Sequence, residues 1–372
     1  MMAIIAFLSV TNTLFPVPVD KAVFLLVSGI CVAKYSIKRS YLSIGVCWLF
    51  LWGIAFLMNL RVSNSAVMMF FPVIGTLFAI YGRRIFTLQT LYLALLLYFI
   101  VAAYFLACAY RTRYDLFAHF LYDKGLPSLA APMGFAASTQ PFGTLCLAWL
   151  LLYKKKSEDH EAMWWDRIAL VFVMAMMIST FNRMTYVSFV FYIMIRRPKT
   201  IIPFVLLVVI LSILYSDTVS SVLGAAGTLR SRMNYFDHYV STVSSGNAFQ
   251  LLFGQGDSQV HDRGLLEMNG NQPLIENGLF AVLFTYGLFT LVAIALALAV
   301  YLLRYRSIND LKDRIYLSYF ILPAQFLTNE YLSTTFYFFI MVFLLTRSTA
   351  PKFRAAGGID SPVSPKLDIR FA

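Results

Sequence analysis

Residues 276–300 read ENGLFAVLFTYGLFTLVAIALALAV, and this stretch decides the class of fold. After Glu276, the next charged side chain is Arg304. A run of about 20 apolar residues is long enough to cross the hydrocarbon core of a bilayer as an α-helix. The stretch therefore predicts a transmembrane helix over residues 277–303.

Apolar runs of this kind recur along nearly the whole chain. Of its 372 residues, 60% are hydrophobic and only 13% are charged, and the mean hydropathy is +0.72. Soluble domains usually contain about 25% charged residues, so this composition excludes a soluble enzyme, a nucleic-acid-binding module and a disordered protein. We expect an all-α, polytopic membrane helical bundle of about twelve spans, at residues 3–18, 22–37, 41–58, 65–82, 86–109, 133–153, 165–182, 184–195, 200–216, 277–303, 315–328 and 331–346.

The basic residues are distributed unevenly between the two sets of connecting loops. Most of the 30 lysines and arginines fall in one set and in the C-terminal tail. Loops rich in lysine and arginine usually face the cytoplasm. This asymmetry, like the even number of spans, places both termini in the cytoplasm.

The predicted organisation has three parts. Residues 1–130 hold the N-terminal spans and a first outer loop, and residues 131–349 form a second membrane region with a large outer loop at about 217–276. Residues 350–372 form a polar cytoplasmic tail that we expect to be disordered. Long loops on a compact scaffold usually carry function, so the outer face is the predicted functional face.

Arg183 is the most informative single residue, in the segment MMISTFNRMTYVSFVFY at 176–192. An arginine near a helix end can be an interfacial anchor whose charge reaches the headgroup region. The polar neighbours Ser179, Thr180, Asn182 and Thr185 favour a hydrated site instead. A guanidinium group can hold two phosphate oxygens at once, so Arg183 is a candidate anion-binding residue.

The large outer loop holds a second group of candidates. Arg230 and Arg232 lie in GTLRSRMNYFDHY, where they are either solvated charges or a second clamp on the same anion. Gly254 and Gly256 follow in LFGQG, which is neither a Rossmann fingerprint nor a phosphate-binding P-loop. His261 comes shortly afterwards.

Glu276 and Asn277 open the span at 277–303. A carboxylate at this position is favoured by the helix dipole and can be an ordinary helix-capping acid. It can also be a general base for a hydroxyl group, since a base needs only to reach the proton that it accepts. His261 and His238 are alternative bases in the same loop.

No metal or cofactor is expected. The four cysteines lie in apolar stretches without a CxxC pair, and the sequence contains no HExxH, GxSxG or DxD motif. If the reaction releases a diphosphate, arginines rather than a divalent cation must stabilise the leaving group.

Taken in order, these motifs resemble the superfamily of Wzy-type O-antigen polymerases and O-antigen ligases, which are bacterial inner-membrane glycosyltransferases. Arg183 in STFNRMTYVSF is similar to the arginine of an outer helix hairpin, and Arg232 in LRSRMNYF to a large-loop arginine. LFGQG is similar to an LxGxG turn, and Glu276-Asn277 with the later YGL to the start of the next span. The helix after the first outer loop, from Phe135 to Leu147, also resembles that family. The likeness covers residues 130–300.

The resemblance implies a GT-C-like bundle with a large periplasmic loop, in which residues 131–349 are the catalytic membrane region. It implies a multi-pass protein of the bacterial inner membrane with its active site on the periplasmic face. The donor would be an oligosaccharide linked to undecaprenyl diphosphate, moved without a metal and with inversion onto the hydroxyl of another lipid-linked repeat unit. Partners would be lipid-linked oligosaccharides, membrane lipid and a chain-length regulator protein, with no nucleic acid.

The resemblance assigns roles to the candidate residues. The catalytic set is Glu276 as base with Arg183 and Arg232 at the diphosphate, and the substrate-binding set is Arg230, Asn277, Gly254, Gly256 and His261.

Two alternatives stay open at the level of sequence. A ligase would move polysaccharide to lipid A–core, and in ligases the position of Glu276 is usually histidine, which favours the polymerase. A flippase or other transporter of lipid-linked oligosaccharides would be expected to show repeat symmetry and charged or broken mid-span helices, and the sequence shows neither.

Overall fold

The computed structural model describes residues 1–11, 19–35, 43, 45–50, 53, 65–112, 117–121, 126–136, 138–159, 161, 163–200, 202–203, 248–254, 277–326, 331 and 333–347. Within these residues the protein is mostly helical. The helices are α1 (Met2–Leu8), α2 (Val19–Lys34), α3 (Ser65–Tyr81), α4 (Leu88–Thr112), α5 (Thr139–Asp159), α6 (Trp164–Ile178), α7 (Arg183–Arg196), α8 (Ala248–Phe253), α9 (Gly278–Leu303), α10 (Ile308–Ile321) and α11 (Thr334–Arg347). Short 3-10 turns lie at Gly82–Arg84, Pro198–Thr200 and Pro323–Phe326.

Two of these helices are long and apolar enough to cross a membrane. They are α4, with 25 residues, and α9, with 26 residues, and α11 is a shorter apolar helix. At a rise of about 1.5 Å per residue each of the two long helices exceeds the ~30 Å hydrocarbon core. The count of about twelve spans stays a prediction.

The core of the bundle is built around α5, which packs against α4, α6, α7 and α11. Its first half, TQPFGTLCLAWLLLY, is apolar on nearly every side, as expected for a helix surrounded by others. Trp149 is fully buried, stacks on Tyr92 at 4.9 Å between ring centroids, and donates a hydrogen bond from Nε1 to the Tyr92 carbonyl at 3.2 Å. These contacts fix α5 to α4.

One end of the bundle carries a network of charged side chains, which we call the basic end. Here α5, α7, α9 and α11 terminate and α4, α6 and α10 begin. Lys156 donates to buried Asp166 at 2.6 Å, and Tyr92 donates to the same carboxylate at 2.9 Å. Arg347 forms ion pairs with Asp310 and Asp313. The described helices therefore run between two distinct ends, and their direction alternates from α4 to α7 and again from α9 to α11.

Two further contacts complete the basic end. Arg196, the last residue of α7, pairs with Asp313 of α10, and Lys154 of α5 lies over the Tyr192 ring of α7 at 5.7 Å. Burial raises the pKa of the Asp313 carboxyl, and Arg196 and Lys154 oppose that rise. All the cations of this network belong to the loops that the sequence assigns to the cytoplasm.

The first outer loop differs from the expectation of an all-α chain. An antiparallel hairpin is present there, formed by β1 (Ala118–Leu121) and β2 (Leu126–Pro132). Tyr110 at the end of α4 holds it, since its hydroxyl donates to the Ala130 carbonyl at 3.2 Å and accepts from the Ala130 amide at 3.0 Å. The hairpin lies at the end of α4 that is opposite to the basic end.

Some helix bounds also differ from the predicted spans. Helix α5 continues to Asp159 because its last turns are closed by the pairs Lys154–Glu158 and Lys155–Asp159, each four residues apart. Helix α10 begins at Ile308 rather than at 315, since Ser307 caps it by accepting a hydrogen bond from the Asp310 amide at 3.1 Å. Hydropathy alone does not detect such polar ends.

Candidate functional site

Arg183 is held on the tip of a tight helix hairpin between α6 and α7. Helix α6 ends at Ile178, and Phe181 adopts a left-handed backbone conformation with φ 49°. Asn182 then caps α7, accepting a hydrogen bond on Oδ1 from the Thr185 amide at 3.2 Å. A bulky residue with positive φ is uncommon and is retained only where the surrounding contacts impose it. The polar residues of this segment thus build a strained turn.

The guanidinium of Arg183 differs from that of the arginine at the other end of the same helix. Arg196 is ion-paired with Asp313 at the basic end. Arg183 is exposed as the first residue of α7, and within the described part of the chain no hydrogen bond or ion pair of its side chain is found. It lies at the opposite end of the bundle from the basic network, and its guanidinium carries five N–H donors.

Asn277 is the N-cap of α9 and is fully buried. Its Oδ1 accepts hydrogen bonds from the Leu279 amide at 3.0 Å and the Phe280 amide at 3.2 Å. Its Nδ2 has no acceptor among the described residues. Asn277 thus satisfies two first-turn amides at the positive dipole end of α9, and its Nδ2 is the donor that suits an anion or a carbonyl oxygen.

Gly254 of the LFGQG motif lies against Gly287, part of the predicted YGL motif in α9. Both glycines have positive φ, at 80° and 78°. Gly287 leaves the helical conformation altogether, with ψ 174°, so α9 is two helices joined at a kink. The structure therefore brings together two motifs that are more than 30 positions apart in the sequence. The sequence does not predict the break, because a single glycine in a helical pattern is usually tolerated.

Asp20 is a functional candidate that no sequence motif predicts. It is 1% exposed in the first turn of α2, and its Oδ2 accepts a hydrogen bond from Thr334 Oγ1 of α11 at 2.8 Å. Its Oδ1 has no donor among the described residues. The available signal was that Asp20 is the single acidic residue before Asp115. An ionisable residue in an apolar surrounding is costly and is often functional.

The other predicted site residues lie outside the described residues. These are Arg230, Arg232, Gly256, His261 and Glu276, together with the alternative base His238. The disordered tail expected at 350–372 and most of the large loop at 217–276 also lie outside them. Of the predicted set, Arg183, Gly254 and Asn277 are described. Asn277 caps α9, and Gly254 packs against the same helix at Gly287.

Among the described residues, side chains with hydrogen-bond donors lie at the end of the bundle opposite the basic end. Arg183 begins α7, Asn277 precedes α9, and Asp20 adds one carboxylate oxygen beside α11. The described residues contain no group of three or more histidine, cysteine, aspartate or glutamate side chains that could hold a metal ion. Donors of this kind suit an anionic group, and the carboxylate suits a hydroxyl.

The chain matches no protein-family model, no curated protein and no solved structure.

Proposed function

We propose that this protein is a membrane glycosyltransferase of the polysaccharide-polymerase type, as its motifs suggest. It transfers an oligosaccharide from undecaprenyl diphosphate to the hydroxyl of another lipid-linked repeat unit, in the bacterial inner membrane and on the periplasmic face. The reaction needs no metal and inverts the anomeric centre. In this proposal the end of the bundle that carries Arg183 faces the periplasm.

The observation that carries the proposal is the contrast between the two arginines of α7. Arg196 is ion-paired with Asp313, whereas Arg183 is exposed and has no protein partner in the described part of the chain. Exposed arginines without an acidic partner also occur at other positions. Arg183 differs from them because it follows a turn in which Phe181 has the strained value φ 49°. A strained turn that displays one guanidinium supports an anion-binding role.

The proposed step is a displacement at the anomeric carbon. The bond from that carbon to the diphosphate oxygen breaks with its electron pair, and undecaprenyl diphosphate leaves. The acceptor oxygen forms the new bond, and its proton passes to Glu276. Arg183 and Arg232, with Arg230, stabilise the charge that develops on the leaving group. Electrostatic stabilisation is usually the larger contribution to the rate, so the arginines rank above the base.

The test is replacement of the arginines in a strain that lacks its own copy of the gene. Arg183→Lys and Arg232→Lys keep the charge but remove the planar fork that binds two oxygens. We expect the ladder of long polysaccharide chains to fall by about 10²-fold, as for loss of one transition-state donor, while single repeat units accumulate. The ladder is measured by gel electrophoresis of the extracted polysaccharide.

Arg304→Lys is the matched control, because Arg304 is exposed and lies at the basic end. Its ladder should equal that of the parent protein. Full-length polymer from both Arg183→Lys and Arg232→Lys would rule out clamping of the diphosphate. A ligase would instead attach preformed chains to lipid A–core and leave the ladder of free polymer unchanged.

One observation favours the transporter alternative. Broken helices form substrate sites in many transporters, and α9 is broken at Gly287. A transporter would move the lipid-linked oligosaccharide without lengthening it. Accumulation of single repeat units on the cytoplasmic leaflet after deletion would favour transport, whereas accumulation on the periplasmic leaflet would favour polymerisation.

A further inference from the structure

Helix α8 lies in a place that the sequence does not suggest. Hydropathy assigns residues 217–276 to an outer loop, yet Ala248–Phe253 packs along α9. The contact is made at the kink of α9 around Gly287 rather than at its end. A segment between two predicted spans therefore reaches down beside the second one.

The contact joins backbone to backbone through the two glycines. A Cβ atom added to Gly254 would lie 2.4 Å from the Thr285 carbonyl oxygen and 2.7 Å from the Gly287 nitrogen. A Cβ added to Gly287 would lie 2.2 Å from the Leu252 carbonyl oxygen and 2.5 Å from the Gly254 nitrogen. Both positions also require positive φ. No residue with a side chain fits at either position without separating the two segments.

The depth of the contact follows from helix geometry. Asn277 caps α9, and Gly287 comes ten positions later. At about 1.5 Å per residue this distance is about 15 Å, which is half of a ~30 Å hydrocarbon core. If α9 crosses the membrane from its N-cap, Gly254 lies near the middle of the bilayer.

The surroundings of the contact are consistent with such a position. Leu252 is 43% exposed and Phe289 is 52% exposed, and the exposed large side chains further along α9 are apolar too. The Phe253 and Phe289 rings lie 6.3 Å apart. Non-helical backbone is tolerated inside a membrane only where protein covers it or where it lines an aqueous cavity. Here α8 covers one side of the kink, and Thr290 Oγ1 donates to the Tyr286 carbonyl at 3.0 Å.

We propose that residues 248–254 re-enter the membrane beside α9, and that Gly254 and Gly287 are positioning residues that hold this segment at the kink. The contact holds Gly254 against α9, and Asn277 is the N-cap of the same helix. The connection between Gly254 and Asn277 therefore begins and ends at α9. The role in transfer rests on the proposed function, whereas the re-entrant position does not.

The first experiment tests the contact itself. In a variant whose native cysteines are replaced by alanine, Phe253→Cys and Phe289→Cys should be joined in high yield by a short bifunctional thiol reagent in native membranes. Adding Gly254→Ala or Gly287→Ala should lower the yield at least fivefold. Gly29→Ala is the matched control, because a Cβ there meets no atom within 4 Å, and the yield should not change.

The second experiment tests the depth. Leu252→Cys should react with a membrane-impermeant maleimide at least tenfold more slowly than Ser128→Cys, which lies exposed on the hairpin of β1 and β2. Equal reactivity of the two cysteines would overturn the re-entrant position. Failure of the parent pair to cross-link, or a full yield in both glycine-to-alanine variants, would overturn the contact.

The polymer ladder then separates the two proposals. If the cross-link and the protection are found, Gly254→Ala should also shorten the ladder while its level in the membrane stays near that of Gly29→Ala. An unchanged ladder would overturn the positioning role. No ladder from the parent protein itself, with cross-link and protection intact, would refute the polymerase and leave the re-entrant segment standing.

Discussion

At the scale of single residues, the clearest energetic contrast is between two adjacent lysines. Lys156 pairs with Asp166, whose side chain is 3% exposed, while Lys155 pairs with Asp159, four positions later on the same helix, whose side chain is 16% exposed. Removing one partner of a buried pair leaves an uncompensated charge, at a cost of about 3–5 kcal/mol. A helix pair four residues apart contributes about 0.3–0.5 kcal/mol, so losing the Lys155 pair should cost less than losing the Lys156 pair.

We therefore predict that Lys156→Met lowers the melting temperature of the detergent-purified protein far more than Lys155→Met does. Both substitutions remove one positive charge, so a change in net charge cannot explain a difference. The double variant Lys156→Met with Asp166→Leu should recover part of the loss, because it leaves no unpaired buried charge. Equal melting temperatures for the two single variants would contradict the assigned burial of Asp166.

At the scale of helices, the packing of α5 on α7 depends on one glycine. A Cβ on Gly143 would lie 2.0 Å from Thr185 Oγ1, so Gly143→Ala must push the two helices apart. We expect a loss of about 1–3 kcal/mol of unfolding free energy, although alanine favours helices. At Gly29, where a Cβ meets nothing within 4 Å, the same change should be neutral or stabilising by up to about 1 kcal/mol.

A double-mutant cycle uses Thr185→Ala, which removes Thr185 Oγ1, the atom that clashes with the new Cβ in Gly143→Ala. Gly143→Ala combined with Thr185→Ala should be more stable than the sum of the single effects by at least about 0.5 kcal/mol. Thermal unfolding of the four proteins measures this coupling. Strict additivity would mean that α5 and α7 are not in contact at this point.

At the scale of the whole molecule, the described helices run between two ends of different chemistry. The network of Arg196, Asp313 and Arg347 marks one end, and the hairpin around Ala130 marks the other. Loops with many lysines and arginines usually stay in the cytoplasm. We therefore predict that the basic end faces the cytoplasm and that the hairpin faces the periplasm.

Two exposed serines test this orientation. In cells whose outer membrane is permeabilised, Ser128→Cys should react with a membrane-impermeant thiol reagent, since it lies on the hairpin. Ser157→Cys, exposed near the end of α5, should react only after the inner membrane is opened. The reverse pattern would place Arg183 in the cytoplasm and would exclude the proposed periplasmic reaction.

Part of the candidate site could be predicted from local sequence. Arg183 is conspicuous because charge is rare in apolar stretches, and Asn277 is a typical capping residue before an apolar helix. Asp20 was not predicted, because its burial depends on Thr334 at the other end of the chain. The partners of Asn277 within α9 are local, whereas the partner of Asp20 is set by packing.

The sequence by itself determined that this is a mostly helical protein with helices apolar enough for a membrane, because hydropathy acts residue by residue along a continuous run. It also determined which cations stand out from their surroundings. Only the tertiary structure decided that α9 is kinked at Gly287, that Gly254 lies against the kink, and that Arg196 is ion-paired while Arg183 is exposed. These features depend on tertiary contacts with residues that are distant in the sequence. The hydrophobic periodicity and composition of one segment do not specify those contacts.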